Sequence, residues 1–168
     1  MRMLDMFAAQ LDREAAISQR VLARVPEGRG DWKPHPRSMP LGYLATLVAT
    51  MPSWLTMTIE RDALDLRPPE GGGYKAPAWT TNAELLAIHE ESVAKAHAAL
   101  RGTTEAHLET PWQLQDGGRL VLERPRHVVL ADTLTHLAHH RGQLSVYLRL
   151  LDVKLPSIYG PSADEGKS

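Results

Sequence analysis

The chain of 168 residues is long enough to form one domain with a buried core. Its 19 basic and 20 acidic residues give a formal net charge of −1, which disfavours a nucleic-acid-binding protein. It has no cysteine, which excludes disulfides, thiol nucleophiles and thiolate metal sites and leaves eight histidines as the soft metal ligands. No apolar run reaches the length of a membrane span, and the first residues do not resemble a secretory signal. The sequence therefore predicts a cytoplasmic protein with no membrane partner.

Two helices are predicted in the first half of the chain. Apolar residues recur with a period near 3.6 over residues 2–25, which is typical of an amphipathic helix. Ser38 is placed to cap a second helix, whose pattern fades around Leu66. Pro52 lies inside this pattern and predicts a kink or a split near Thr50, because proline removes one backbone donor.

The middle of the chain combines a loop, a helix and a hairpin. Residues 67–73 are rich in proline and glycine and predict an exposed, flexible loop. Thr81 and Glu84 have the spacing of a capping box, so a third helix should begin there and end at Gly102. Between residues 109 and 123 the residues alternate around an Asp-Gly-Gly turn, which predicts a β-hairpin.

A fourth, long helix is predicted from Pro125 to Asp152, followed by a polar tail over residues 162–168 that we expect to be disordered. The predicted fold class is therefore all-α: a four-helix bundle with long connections and a small β-hairpin before the last helix. We expect a single domain over residues 1–168, with a flexible tail from about residue 160.

The fourth helix carries a pair of histidines one turn apart. His136 and His140 are spaced i and i+4 and share a face, while His139 is expected to point elsewhere. Two imidazoles at this spacing can chelate one metal ion, although a site normally has at least a third protein ligand. A stripe of leucines adjoins the pair: Leu130, Leu134, Leu137, Leu144, Leu148 and Leu151. The pair is therefore a candidate metal site at the edge of the core, and the alternative is a set of border residues hydrogen-bonded to neighbours or solvent.

Four sequence segments together suggest a family. They are His136-x-x-x-His140-Arg141-Gly142-Gln143, Val25-Pro26-Glu27-Gly28, Trp32-Lys33-Pro34-His35-Pro36 and Leu41-Gly42-Tyr43-Leu44-Ala45. With them, nearly the whole chain resembles the DinB/YfiT-like superfamily of DNA-damage-inducible, DinB-type four-helix bundles. The resemblance implies a bundle, often a homodimer, with a divalent metal (zinc, nickel or iron) held by three histidines. Two of them would be His136 and His140, and the third would come from the second helix.

The second helix departs from this pattern because it contains no histidine. The third ligand should fall within residues 45–48, and its best match is Leu47, which cannot coordinate a metal. The metal site is therefore expected to be weak or absent, with water or a carboxylate such as Glu60 completing it. His89 and His97 share a face of the third helix and are outside candidates for a replacement ligand. Their alternative role is at the polar edges of an amphipathic helix.

Other side chains near the pair allow more than one role. Arg141 can contact an anionic group, but a surface salt bridge is favoured, and Gln143 is placed to support His140. Tyr43 and Tyr147 are candidate pocket donors or simple packing residues. The four tryptophans could line a ligand pocket, form a dimer surface or pack over the ends of the bundle: Trp32, Trp54, Trp79 and Trp112. Packing over the bundle ends is the favoured interpretation for most of them.

Two functional hypotheses follow, and the sequence leaves open whether the protein is an enzyme. The first, which the family resemblance implies, is a divalent-metal-dependent enzyme of the thiol S-transferase or hydrolase type that acts on a small molecule. A thiol cosubstrate suits a chain without cysteine, because the thiol would arrive with it. The second is a metal-free binding protein or stress-associated structural dimer. Direct DNA binding is disfavoured by the charge.

Overall fold

The computed structural model describes residues 2–69, 71 and 76–165 of the chain. This part is mostly helical, with one small sheet of three strands. Its elements, in chain order, are α1 (Met3–Leu22), α2 (Leu41–Thr50), α3 (Pro52–Glu60), β1 (Ala63–Asp65), α4 (Asn82–Gly102), α5 (Glu105–Leu108), β2 (Pro111–Asp116), β3 (Arg119–Pro125) and α6 (Arg126–Leu150).

The predicted second helix is split where its proline indicates. α2 ends at Thr50, and Pro52 is the first residue of α3, a position at which the missing N–H leaves no hydrogen bond unmade. The hydroxyl of Ser53 donates to the carbonyl oxygen of Thr50 at 2.7 Å. The prediction of a kink or split near Thr50 is confirmed.

The prediction that this helix continues to about Leu66 is wrong. α3 ends at Glu60, and β1 follows as a short strand that runs parallel to β2, with Leu64 opposite Leu114. The carboxylate of Asp65 accepts hydrogen bonds from the backbone N–H groups of Gly117 and Gly118, at 2.9 and 2.7 Å. These bonds attach β1 to the turn of the hairpin, and they join residues about fifty positions apart.

The predicted hairpin is confirmed. β2 and β3 pair antiparallel with a bulge between Leu114 and Gln115, and Gly117 and Gly118 lie in the turn with φ of 62° and 76°. Residues with a side chain rarely adopt such positive φ values, so the two glycines fit the turn.

Two clusters of buried side chains form the core. The first joins α2 to the C-terminal half of α6 and the end of α1, and the second joins α3 to the N-terminal half of α6, to α1 and to α4. Five leucines of the predicted stripe on α6 belong to them: Leu130, Leu134, Leu137, Leu144 and Leu148. The leucine face of α6 therefore packs against the core along the whole helix. This packing fixes the rotation of α6 about its axis, and so fixes which way the neighbouring histidines point.

The segment after α6 folds back onto the helices. The carboxylate of Asp164 pairs with Arg149 at 2.5 Å, and Glu165 pairs with Arg20 of α1 at 2.7 Å. The hydroxyl of Ser162 donates to the carbonyl oxygen of Leu155 at 2.8 Å. These contacts lie in the first part of the predicted tail, and residues 166–168 are outside the described residues. In the predicted loop 67–73, residues 70, 72 and 73 are also outside them. Within the described part, none of the helices has the length and apolar character to cross a membrane.

Candidate functional site

The uninterrupted α6 brings the histidines together. The ring centroids of His136 and His140 are 4.4 Å apart, as expected for residues one helical turn apart. The prediction that His139 points away from the pair is wrong: its ring lies 5.1 Å from that of His140 and 6.3 Å from that of His136. His139 stands three residues after His136, a spacing that also places side chains side by side. The cluster therefore contains three imidazoles.

The imidazole of His140 is buried and oriented by its neighbour. Its side chain is 8% exposed, and its Nδ1 lies 2.8 Å from the Oε1 of Gln143. Because a carbonyl oxygen can only accept, Nδ1 carries the proton in this contact. The contact with Gln143 is the one expected from the spacing of these two residues.

His136 is more exposed than His140, but its pKa is still lower than that of a free imidazole. Partial burial lowers its pKa, and the neighbouring His140 and His139 lower it further, because each disfavours a second positive charge. His136 is therefore neutral at pH 7 and offers one nitrogen donor and one nitrogen acceptor.

The described residues do not fit a three-histidine metal centre. No three histidine, aspartate or glutamate side chains among them lie close enough to bind one ion. Leu47 is apolar and packs against the first core cluster, and Glu60 lies at a different cavity beside His107. The pair on α6 thus provides two ligands where the resemblance implies three, which fits at most a weakly held ion.

The two candidate replacement ligands on α4 are engaged elsewhere. His89 is fully buried, with Nδ1 at 3.3 Å from the carbonyl oxygen of Ala49 and Nε2 at 3.1 Å from that of Ala15. Burial is the main cause that lowers its pKa. His97 pairs with Asp12 at 2.8 Å. His89 thus links α4 to α1 and α2, and neither histidine joins the pair on α6.

A cavity of about 340 Å³ lies between α3, the sheet and α6. Its apolar walls come from each of these elements: Trp54, Met57, Leu64, Trp112, Leu114 and Val129. Its polar side chains are Thr58 of α3 and Asp132, Thr133 and His136 of α6. The indole N–H groups of Trp54 and Trp112 are buried without a hydrogen-bond partner among the described residues. The indole of Trp54 meets the imidazole of His136 edge to face, with centroids 5.9 Å apart. His136 therefore belongs both to the histidine cluster and to the wall of the cavity.

The tryptophans divide between two roles. Trp54 and Trp112 line the cavity, so these two are not simple caps over the bundle ends. Trp32 packs edge to face on Tyr147, and the indole N–H of Trp79 donates to the hydroxyl of Thr46 at 2.7 Å. Tyr147 is buried in the first core cluster and does not line the cavity, and neither does the exposed Tyr43.

Arg141 forms a buried ion pair, which corrects the expectation of a surface salt bridge. Its guanidinium is fully buried and donates to the carboxylate of Glu14 at 2.6 Å, to the hydroxyl of Ser18 at 3.1 Å and to the hydroxyl of Tyr159 at 2.5 Å. Tyr159 also donates to Glu14 at 2.7 Å. Burial raises the pKa of Glu14, but the hydrogen bonds from Tyr159 and Arg141 outweigh it and bring the pKa below its ordinary value. Arg141 therefore connects α6 to α1 and is not free to bind an anion.

Comparison with known proteins agrees with this architecture. The family model described as DinB superfamily matches residues 10–144. The chain is similar to the crystal structure of a DinB-like protein from Bacillus subtilis, with 16% identity, 95% of this chain and 99% of the other covered, and a TM-score of 0.68. A DinB-like protein from Bacillus cereus is 22% identical, with 91% and 95% covered and a TM-score of 0.69. No curated protein matches the chain.

Proposed function

Because the chain belongs to the DinB superfamily, we propose that it is a four-helix-bundle member that binds a small molecule in the cavity beside His136, with a metal site that is weak or absent. In this proposal α2 and α3 count as one broken helix beside α1, α4 and α6. The observation that carries it is an apolar cavity of about 340 Å³ with a neutral imidazole in its wall. A cytoplasmic homodimer is part of the same proposal.

The dimensions and chemistry of the cavity support a binding role. Small-molecule sites are concave, mostly apolar and carry a few placed polar groups, with volumes from about 300 Å³ upward. The cavity has two tryptophans in its walls, and its titratable groups, Asp132 and His136, lie on one helix. Its walls come from three elements that the core and the β1–hairpin contacts hold in place. The site is therefore formed before any ligand arrives, which limits the entropy lost on binding.

Filling the cavity tests the proposal. Leu114→Trp introduces a larger side chain at the cavity wall, so we expect it to weaken the binding of naphthalene, a small apolar probe, at least about tenfold, since each 1.4 kcal/mol of lost binding free energy is tenfold. Titration calorimetry measures the affinity, and circular dichroism checks that each variant is folded.

The matched control is Met6→Trp, because Met6 is an exposed apolar residue of α1 that does not line the cavity. It should bind naphthalene as the unchanged protein does. Absence of saturable binding to the unchanged protein, or equal affinity in Leu114→Trp, would contradict the proposal.

A second candidate function is a divalent-metal-dependent enzyme of the thiol S-transferase or hydrolase type. The contact between Gln143 and Nδ1 of His140 favours it, because metal-binding histidines are usually oriented by such a partner while the other nitrogen faces the ion. A bound ion would supply Lewis-acid activation of water or of a thiol cosubstrate. His136 and His140 would hold it, and Gln143 would hold the ring of His140 in place.

Metal content separates the two candidates. For the enzyme we expect at least half an equivalent of Zn²⁺, Ni²⁺ or iron in protein purified without a histidine tag, and loss of that metal in His140→Ala. Less than a tenth of an equivalent, unchanged after Ni²⁺ or Zn²⁺ is added, would contradict the metal-dependent form.

A further variant, Leu47→His, tests whether the second helix can supply the missing metal ligand. Leu47 precedes Trp54 by seven residues, about two helical turns, so it lies on roughly the same side of the α2–α3 helix as the side chain that contacts His136. We expect this variant to bind Zn²⁺ at least about tenfold more tightly, because it adds a third imidazole. If Trp54→His gains affinity and Leu47→His does not, the third position has been assigned to the wrong turn.

A further inference from the structure

We propose that the cavity beside His136 selects an uncharged, two-ring aromatic or alicyclic molecule that carries one hydroxyl group. The inference rests on the proposed function and names the class of ligand that the cavity binds. Three properties of the cavity lead to it: its volume, the charge of its lining and the polar groups on α6.

The volume sets the size of the ligand. An apolar cavity of about 150 Å³ holds one benzene ring, so the volume of about 340 Å³ has room for roughly two rings. Trp54 and Trp112 are positioned in the wall and provide flat aromatic surfaces for packing against rings. A long flexible chain would fill the same volume, but it would lose more rotational freedom on binding than a rigid ring system.

The charge of the lining excludes anions. No lysine or arginine lies among the described residues of the cavity wall. Asp132 is the one acidic residue there, and its carboxylate is largely exposed and accepts a hydrogen bond from Arg124 at 3.3 Å. An anionic ligand would lose its hydration without meeting a positive charge, and it would approach the carboxylate of Asp132. A cationic ligand would compete with Arg124 for that carboxylate in solvent, where such a pair contributes little.

The polar groups on α6 favour a hydroxyl over a carbonyl. His136 makes no hydrogen bond to another described residue, so its donor and acceptor nitrogens are both free for a ligand. The hydroxyl of Thr133 donates to the carbonyl oxygen of Val129 at 2.8 Å, which leaves its oxygen able only to accept from a ligand. A ligand hydroxyl can donate to one of these acceptors and accept from the imidazole, whereas a carbonyl can only accept.

Four probes with the same ring system test the inference at pH 7. They are 2-naphthol, naphthalene, 2-naphthoate and naphthylmethylammonium, which differ in the polar group and its charge. By titration calorimetry we expect 2-naphthol to bind about three- to tenfold more tightly than naphthalene, the gain from one net hydrogen bond. The anion and the cation should both bind at least about tenfold more weakly than 2-naphthol.

Two variants assign the effect to His136. His136→Phe should remove the preference for 2-naphthol over naphthalene while naphthalene still binds. His139→Phe is the matched control, because His139 belongs to the same cluster but does not line the cavity, and it should keep the preference.

The outcomes separate this inference from the function on which it rests. Binding of 2-naphthoate or the ammonium probe as tight as that of 2-naphthol, or a preference that survives in His136→Phe, would overturn the ligand class and leave the cavity a binding site. Failure of all four probes to bind would overturn the proposed function together with the inference.

Discussion

A buried ion pair joins α6 to α1 through Arg141 and Glu14. Both side chains are removed from solvent, and Tyr159 hydrogen-bonds to both. Buried pairs contribute little net stability when they replace apolar residues, but the loss of one partner leaves the other charge buried and unpaired. A single substitution in this pair should therefore lower the free energy of unfolding much more than a substitution of both partners.

We therefore expect Arg141→Met to lower the free energy of unfolding by about 3–5 kcal/mol, because it leaves the carboxylate of Glu14 buried without its cation. The double variant Glu14→Leu with Arg141→Met should recover most of this loss. Urea unfolding at pH 7 measures both. Arg149→Met, which breaks the more exposed pair with Asp164, is the control and should change stability little.

The pH dependence of this effect has a defined sign. The pKa of Glu14 in the folded protein lies below its ordinary value of 4.5. The ionised carboxylate therefore contributes its full stabilisation above pH 4.5, and this stabilisation is lost as the pH falls through the pKa of the folded state. The difference between Arg141→Met and the unchanged protein should therefore shrink at acidic pH. A difference that stays constant, or a double variant no more stable than the single one, would contradict a coupled pair.

At the scale of elements, local signals in the sequence predicted most of the fold. The capping box of α4 is present: the hydroxyl of Thr81 accepts from the N–H of Glu84 at 3.3 Å, and the carboxylate of Glu84 accepts in return from the backbone N–H groups of Thr80 and Thr81. These backbone bonds lower the pKa of Glu84 to about 2. Pro52 likewise marked the end of α2. Each signal acts within one helical turn, so it can be identified without knowledge of the fold.

What the sequence could not predict depends on distant partners. β1 has three residues, too few for a periodic pattern, and it exists because β2 pairs with it and Asp65 binds the hairpin turn. The candidate site also combines a feature set by local sequence with features that depend on distant partners. The spacing of His136 and His140 predicted their contact, whereas the cavity requires β1 and the hairpin to meet α3 and α6. The burial of Arg141 depends on Glu14, at the other end of the chain.

At the scale of the whole molecule, the proposed homodimer leads to one more prediction. Sedimentation equilibrium should give twice the 18.6 kDa mass of the chain. Val146 and Leu150 are exposed apolar residues one turn apart on α6, so they are the candidate contact between two copies.

The variant Val146→Glu with Leu150→Glu should sediment as a monomer, because it would bury four carboxylates in a symmetric interface. Met6→Glu, at an exposed apolar position of α1, is the control and should leave the mass unchanged. A monomer at every concentration of the unchanged protein would contradict the dimer, and a dimer that survives both glutamates would place the contact elsewhere.

The pairing of Glu14 with Arg141 and Tyr159 also bears on how the chain folds during synthesis. The partners follow Glu14 by 127 and 145 residues, so a ribosome must translate those residues before either partner can reach α1. Until then the nascent first helix carries a carboxylate that cannot yet be buried with its cation. Contacts of such sequence separation form late and slow folding. The ion pair that docks α1 onto α6 can therefore form only after Arg141 and Tyr159 have emerged from the exit tunnel.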